Sequence, residues 1–510
     1  MRLLKDKLSR YILKCDYGER HIPPTAGFQW DDVEKVWFAN SIYKAFTFAD
    51  QADENLRPIM NQIKTNIQLS GILEPVVDYN MPYYPFQAAG IEVMADQLSR
   101  RKAVLCADMP GLGKTIESIG VANKMGLKKL LVVCPASLRL NWVREIEKWH
   151  EHSLGVDPIL SGKDRVDPGR SCVVSYSLAS MIPQDYKPDL VIVDEVHNVK
   201  NPEAVRTRVV LGNKNQGYLG LVSSGAPVIL LSGTPTPNGK PSELWPTLYK
   251  LAPDAISHMR YWPFVREFCT WFDDGLTTTI TGAKNTKELN VRLRGSGFMV
   301  RRDKADVLKD LPQKQYKMVV FPANSSTKKV LQREKDFSVE EILQHGVPVG
   351  SGLPEIRREM GVAKGAQCLE YIEDLLMEGG DKVVVFAHHL EVVGLLAEGL
   401  RRYSPVVITG STSSKDRQKS VDRFQNDLTC RVFIGNEAAE EGLTLTAAHD
   451  VVMVEPEWVP GKNQQRADRL HRIGQVHGVV IHLLVVERSL DARILSVAAQ
   501  KAADIEKILK

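Results

Sequence analysis

The sequence predicts an α/β protein of two parallel-sheet lobes preceded by a small N-terminal accessory region. Three observations carry this. Short, unbroken apolar runs recur with helical stretches between them, as strands covered on both faces require. The series of runs starts twice, on either side of a stretch with weak periodicity. The length, 510 residues, leaves room for three or so domains, each able to bury its own core.

The first series is Lys102–Asp108, Leu130–Pro135, Leu190–Glu195 and Val228–Pro235. Helical stretches follow its first two members, at TIESIGVANKM and LNWVREIEKW. The second series is Lys382–His389, Pro405–Gly410, Arg431–Asn436, His449–Pro456 and Val479–Val485. Between them, about Phe321 to Gly365, Asn324-Ser325-Ser326 and Gly350-Ser351-Gly352 mark a linker with some helix. Near the N-terminus, Ala26–Phe38 sets Trp30 and Trp37 on either side of Asp31-Asp32 and reads as a small hairpin. The expected divisions are an accessory region over 1–75, a first lobe over 76–314, a linker over 315–365 and a second lobe over 366–510.

Composition narrows the class. Hydrophobic residues at 43% and charged residues at 25% exclude a mostly disordered chain, a collagen-like repeat and a disulfide miniprotein. A net charge of +4 permits nucleic-acid binding without arguing for it, so any basic groove has to be local. The 7 cysteines are scattered and form no CxxC pair, so neither a zinc signature nor a disulfide framework is expected. The opening MRLLKDKLSRYILKCD interrupts its apolar positions with charge too often for a signal peptide. No apolar run approaches the ~20 residues of a membrane span, and an intracellular, cytoplasmic protein is expected.

Between the first strand and its helix lies Asp108-Met-Pro-Gly-Leu-Gly-Lys-Thr115. Gly111 and Gly113, with Leu112 between them, let backbone N–H groups approach phosphate oxygens. Lys114 is placed to reach the β- and γ-phosphates of ATP, and Thr115 to hold Mg²⁺. The helix N-terminus adds partial positive charge. Asp108 opens this ATP-binding loop where a strict phosphate-loop pattern has glycine. A glycine turn with a chance Lys-Thr is the alternative, disfavoured by the strand–loop–helix context. A buried strand that ends in Asp194-Glu195-Val196-His197 is costly unless its carboxylates face a cation. Asp194 is therefore read as a Mg²⁺ ligand and Glu195 as the group that polarises the attacking water. A solvated strand end is the bland alternative, weakened by the loop upstream.

With these residues in hand, the sequence resembles the Swi/Snf-type branch of superfamily-two helicases, ATP-driven motors that track along double-stranded DNA. The likeness runs in order from about Tyr84 to Val486. Tyr84-Pro-Phe-Gln87 resembles the Q motif, which implies that Gln87 reads adenine. Asp108–Thr115 is similar to motif I, and Cys134-Pro-Ala-Ser-Leu138 with Asn141, Trp142 and Glu147-Lys-Trp149 to motif Ia. Asp194–His197 resembles motif II. Ser232-Gly-Thr234-Pro235 followed by Asn238 resembles motif III, which in the family couples the γ-phosphate to DNA. Arg301-Arg302-Asp-Lys304, Val307-Leu308 and Leu311-Pro-Gln-Lys314 resemble the bridge between lobes. Gly442–Thr446 is similar to motif V, and the stretch from Gln465 to Gln475, with HRIGQ intact, to motif VI.

The resemblance implies two RecA-like lobes with MgATP in the cleft between them. Arg469 and Arg472, three apart on one helix or turn face, would be arginine fingers from the second lobe. A solvated basic helix is the alternative for that pair. His197, Ser232, Thr234, Gly442 and Gln465 would couple the nucleotide to DNA. GLTLTAA and short lobe insertions point to the annealing-helicase subgroup and its small bacterial or phage relatives, and the compact chain to a bacterial or phage-infected cell. Departures are Val196 in DEVH, Glu437-Ala-Ala-Glu-Glu441 in place of a glycine-rich approach, and Val459 where the family usually has Asn.

The expected function is an ATP-dependent duplex-DNA translocase, helicase-like and sequence-nonspecific. The alternatives are a strand-separating helicase and a DNA-binding protein with an inactive ATPase core. Tracking needs donors to phosphate rather than base readers. Candidates are Ser137, Arg139, Asn238, Lys415, Arg417 and Thr444, at the carboxyl ends of strands where open α/β sheets bind ligands. His388 and His389 end a strand at the same edge; spacing suggests no third metal ligand, and a DNA-facing strand end is the better reading. The N-terminal hairpin resembles the small recognition modules placed before annealing-type motors, or is a hairpin whose tryptophans make its own core.

Overall fold

A computed structural model describes residues 1–75, 83–213, 217–273, 275, 277–307, 314–335, 337–339, 342, 351–378, 381–439, 443–458, 463, 466–472 and 474–496. It divides into two compact units, Met1–Val307 and Leu308–Lys510. Among the described residues no helix is long and apolar enough to cross a membrane.

The first unit opens with an antiparallel sheet. Strands β1 (Arg2–Lys5), β2 (Tyr11–Lys14), β3 (Gln29–Asp31) and β4 (Val36–Ala39) lie in the order β1-β2-β4-β3. The expected hairpin is its outer half: Trp30 pairs with Trp37, ring centroids 5.1 Å apart. The tryptophans do not make the core of this region. Leu3, Leu13, Phe28, Phe48, Leu56, Met60 and Ile63 do, while Trp30 remains exposed. Helix Arg57–Leu69 turns Ile63 and Asn66 inward and fastens the region to helix Thr286–Gly295, with Asn66 Nδ2 donating to the Gly295 carbonyl at 2.8 Å.

The main sheet of this unit contains β5 (Ala103–Cys106), β6 (Leu130–Cys134), β7 (Val156–Ile159), β8 (Ser171–Ser175), β9 (Leu190–Asp194), β10 (Val228–Leu231) and β13 (Met299–Val300). Their order is β13-β5-β10-β9-β6-β8-β7, and every described pairing is parallel. A separate ribbon pairs β11 (Cys269–Asp273) with β12 (Thr278–Ala283). The continuous apolar runs are explained by burial on both faces. Leu105, Val133, Val193 and Leu230 enter one core, and Val104, Val132, Ile192 and Ile229 the other. Each such side chain contributes roughly 1.5–3 kcal/mol when removed from water, so alternation would forfeit one face.

The second unit is built on β14 (Lys314–Phe321), β15 (Val383–Phe386), β16 (Val406–Ile408), β17 (Val432–Gly435), β18 (Asp450–Met453) and β19 (Val479–Val486). The order is β14-β19-β18-β15-β17-β16, again parallel. Here the structure differs from the expected linker over 315–365. Strand β14 occupies its first residues in full register with β19, and helices Ser325–Glu334 and Leu353–Ala363 follow. These elements pack through Val330, Ile356, Met360 and Val486 and belong to the second unit. The apolar run of this strand is confined to Met318–Phe321, after Lys314, Gln315 and Lys317; it is an edge strand, with Tyr316, Met318 and Val320 about half exposed.

Candidate active site

In the first unit, parallel pairing brings the carboxyl ends of β5, β6, β9, β10 and β13 to one sheet edge, and each carries one of the motifs. The loop after β5 reverses through Gly111 (φ 88°) and Gly113 (φ 93°), a left-handed backbone that favours glycine. Gly113 caps helix Lys114–Lys124, and a Cβ there would stand 2.3 Å from Gln87 Nε2. Lys114 Nζ donates to the carbonyls of Asp108 at 2.9 Å and Met109 at 3.4 Å. Thr115 opens the helix beside it. Gln87 is buried, its Nε2 donating to the Leu112 carbonyl at 2.9 Å and its Oε1 accepting from the Tyr84 N–H at 3.1 Å. It ties the helix Pro85–Arg100 to the closing end of the loop.

Asp108 is not turned toward the phosphate position. Its carboxylate is fully buried and paired with Arg302, whose guanidinium also meets Glu117. Burial pushes Glu117 up to about 8 against the pull of that guanidinium. The Asp108 carbonyl, not its carboxylate, faces Lys114.

At the end of β9, Asp194 is buried. Its Oδ2 accepts from Trp142 Nε1 at 2.9 Å and its Oδ1 from the Glu195 N–H at 2.9 Å. Burial, reinforced by the Glu195 charge, pushes its carboxyl up to about 7. An anion held this dry, beside a phosphate loop, fits a divalent cation. Glu195 sits in left-handed backbone at φ 51°, a strained position for a side chain of its size. Tyr176 Oη secures the turn by donating to the carbonyls of Asp194 at 2.6 Å and Glu195 at 3.3 Å. His197 Nδ1 lies 3.3 Å from Glu195 Oε2 and 3.3 Å from Ser232 Oγ, which accepts from the Thr234 N–H at 3.3 Å. The structure thus joins the residues expected from motifs II and III into one polar chain.

In the second unit the two later motifs are knitted together. The Leu445 N–H donates to the Arg469 carbonyl at 2.9 Å, and Arg472 reaches Thr444 Oγ1 at 3.3 Å and the Asp468 carbonyl at 2.8 Å. Gln475 Nε2 donates to the Ala448 carbonyl at 2.8 Å. Arg469 is buried and Arg472 half-buried. Arg466 is fully buried against Glu457 at 2.9 Å. Gly442, Gln465 and Val459 lie outside the described residues.

The candidate DNA contacts divide. Asn238, Lys415 and Thr444 are exposed, Asn238 steadied by Glu243 at 2.6 Å, and Ser137 is half-buried. Arg139 is a correction: it is buried, its guanidinium donating to the carbonyls of Ile159 at 2.7 Å and Ala136 at 3.1 Å, so it braces the loop instead of facing solvent. Arg417 is likewise buried, on the inner side of helix Ser414–Asn426. The histidines at the end of β15 are set among carboxylates. His389 Nδ1 is 2.6 Å from Glu455, and His388 Nδ1 lies 3.6 Å from Glu457 and 3.7 Å from Glu437. Glu457 raises the His388 imidazole above its ordinary value. Acidic surroundings of this kind repel phosphate and do not suit a DNA-facing pair.

Comparison with known proteins identifies the class. The SNF2-related domain matches residues 86–375, and the helicase conserved C-terminal domain matches residues 367–474. The chain belongs to the SNF2-related family of helicase-like ATPases. Among its relatives is the Bos taurus SWI/SNF-related matrix-associated actin-dependent regulator of chromatin subfamily A-like protein 1, 32% identical over 424 residues, or 80% of this chain and 43% of that protein. Another is the Homo sapiens DNA annealing helicase and endonuclease ZRANB3, 33% identical over 449 residues, covering 82% of this chain and 39% of the relative. The chain thus spans less than half the length of either. The solved Sulfolobus solfataricus SWI2/SNF2 ATPase core in complex with dsDNA shares 22% identity, with 86% of this chain and 95% of that chain covered at a TM-score of 0.40.

Proposed function

We propose that the protein is an ATP-driven motor that moves along double-stranded DNA, hydrolysing ATP to ADP and phosphate. The observation that carries this is the single sheet edge that the loop after β5 shares with Asp194–Glu195 and Ser232–Thr234, the latter two linked by hydrogen bonds through His197 and the Ser232 N–H donating to the Cys106 carbonyl at the foot of the loop at 3.2 Å. Loop amides around Gly111–Gly113 and the Lys114 ammonium hold the β- and γ-phosphates. Thr115 and Asp194 would hold Mg²⁺, which neutralises phosphate charge. Glu195 accepts the proton of the attacking water, its carboxylate aimed by the turn that Tyr176 secures. Arg469 and Arg472 act on the γ-phosphate when the second unit reaches the reactive state. The chain from Glu195 through His197 to Ser232 carries that state toward Asn238.

DNA is the partner that the names of the relatives support, and an intracellular setting goes with it. Exposed Asn238, Lys415 and Thr444 offer donors to the backbone without reading bases. The test is ATP turnover with and without duplex DNA, alongside displacement of a third strand from a DNA triplex. Turnover stimulated by duplex, ATP-dependent displacement and loss of both in Lys114→Ala are expected. Unwinding of a fork without triplex displacement would favour a strand-separating helicase. Absence of turnover in the wild type would favour a binding protein.

A further inference from the structure

We propose that Arg302 is a positioning residue for the nucleotide phosphates, drawing the aspartate that opens the phosphate loop into the core and clamping the loop at both ends. The inference rests on the reading of that loop as an ATP site.

At the opening end, Asp108 Oδ1 accepts from the Arg302 backbone N–H at 2.8 Å and from Arg302 Nε at 3.2 Å, while Oδ2 meets the terminal guanidinium nitrogen. The backbone joins in beyond the strand ends. The Ala107 N–H donates to the Val300 carbonyl at 2.8 Å and the Met109 N–H to the Arg302 carbonyl at 3.3 Å. At the closing end the action is indirect. Arg302 donates to the Phe86 carbonyl, and the next residue, Gln87, holds the Leu112 carbonyl at 2.9 Å. The guanidinium also meets Glu117 in the first turn of the helix that the loop caps. One planar fork therefore reaches three elements, which a point-charge ammonium cannot do.

The cluster is accommodated at a specific place. A Cβ on Gly90 would fall 2.4 Å from Glu117 Oε2 and 2.6 Å from both terminal nitrogens of Arg302. Helix Pro85–Arg100 carries glycine where the charged groups need the room.

The electrostatic logic follows. An aspartate at the head of a phosphate loop would set an anion beside the anionic ligand. Arg302 neutralises it and turns it away, so that Lys114 meets only the Asp108 carbonyl at 2.9 Å. Without the guanidinium, Asp108 keeps the Arg302 backbone N–H at 2.8 Å but loses its counter-charge, which favours a swing of the buried carboxylate toward solvent and toward Lys114.

The experiment compares wild type, R302Q, R302K and the double variant D108N/R302Q. Readouts are affinity for a fluorescent ATP analogue, KM and kcat for ATP with duplex DNA, and thermal unfolding. R302Q is expected to weaken nucleotide binding about ten-fold or more, chiefly through KM, because the freed carboxylate repels phosphate. R302K is expected not to restore affinity. D108N/R302Q, with the anion gone, is expected to return to within about three-fold of wild type. A brace that only held the fold together would give the opposite pattern, with lowered unfolding temperature and no selective rescue of KM. Wild-type affinity in R302Q, or a double variant no better than R302Q, overturns the proposal. Should R302Q fail to fold, R302K keeps a cation among the buried carboxylates, and wild-type affinity in folded R302K overturns it equally. Failure of the wild-type chain to bind nucleotide would strike the ATP-site reading itself and is distinguishable from failure of the rescue.

Discussion

Replacing Tyr176 by Phe tests whether the turn that aims Glu195 is held open by hydrogen bonding. The hydroxyl donates to the Asp194 carbonyl at 2.6 Å and the Glu195 carbonyl at 3.3 Å. The latter carbonyl also accepts from the Asn198 backbone at 2.9 Å and side chain at 3.1 Å, so the loss falls mainly on Asp194. The bond it removes contributes about 0.5–1.5 kcal/mol. The left-handed conformation at Glu195, φ 51°, stores about 1–2 kcal/mol that the bond helps to offset. Released, the turn relaxes and the carboxylate leaves the line of attack in part of the population. The strain is present with or without the hydroxyl, so the change is the lost bond, about 0.5–1.5 kcal/mol, or roughly a two- to twelve-fold fall in kcat. In the proposed mechanism phosphate binding uses the loop after β5, so KM for ATP should stay nearly constant. Steady-state ATP turnover with saturating duplex DNA, measured for Y176F beside wild type, decides it. An unchanged kcat, or a loss that appears in KM alone, would refute the argument that this hydroxyl orients the base.

Glu195→Gln keeps the shape of the carboxylate without its basicity, so nucleotide affinity should persist while the hydrolytic step slows strongly. A parallel loss of affinity in equilibrium binding would make Glu195 a binding group. Binding to duplex DNA should be nearly sequence-blind. With about four to six phosphates neutralised, a plot of log K against log salt should slope at about −4 to −5, and a flat response in a salt titration would contradict backbone tracking. In the second unit, burial pushes Glu334 from 4.5 up to about 7 while it accepts from the Leu490 N–H at 2.7 Å. Its folded value exceeds its unfolded one, so the folded state binds the extra proton and stability falls as pH rises between the two values. Glu334→Gln keeps the acceptor and removes the charge. It should unfold at higher temperature than wild type near pH 8, by a stabilisation on the order of 2 kcal/mol, with the gap closing toward pH 5. A gap that does not change with pH would show that Glu334 is not titrating there.

How much of this was legible in the sequence follows from where each residue's partners lie. Runs such as Leu190–Asp194 print as unbroken apolar stretches because both faces are buried, and the loops that follow them lie at one edge by parallel pairing alone. Strand β14 was hidden because Lys314, Gln315 and Lys317 interrupt its first half, and β13 because it is only two residues long. The partners of the site were hidden by distance along the chain. Arg302 stands 194 residues from Asp108 and Trp142 stands 52 from Asp194. No local spacing signals such pairs, although Gly90 inside a helix is a trace of the first. Arg139 and Arg417 show the converse limit. Their positions after strand ends suggested phosphate contacts, but position says nothing about whether a long side chain turns outward or is spent on carbonyls beneath it.

The proposed mechanism assigns phosphate loop, metal ligand and base to the first unit and the arginines to the second, so nucleotide should bind without the arginines and react only with them. The direct measurement is ATP affinity and ATP turnover, each with and without duplex DNA, for Arg469→Ala, Arg472→Ala and Arg472→Lys. Arg472→Ala should bind ATP within a few-fold of wild type, lose most DNA-stimulated turnover and leave the weak DNA-free rate in place. Lys should not rescue it, because an ammonium lacks the planar fork. A finger arginine is worth ~10³–10⁵ in rate in related phosphoryl-transfer enzymes, and sharing between two reduces the share of each. Full DNA-stimulated turnover in all three variants would contradict a site completed by the second unit.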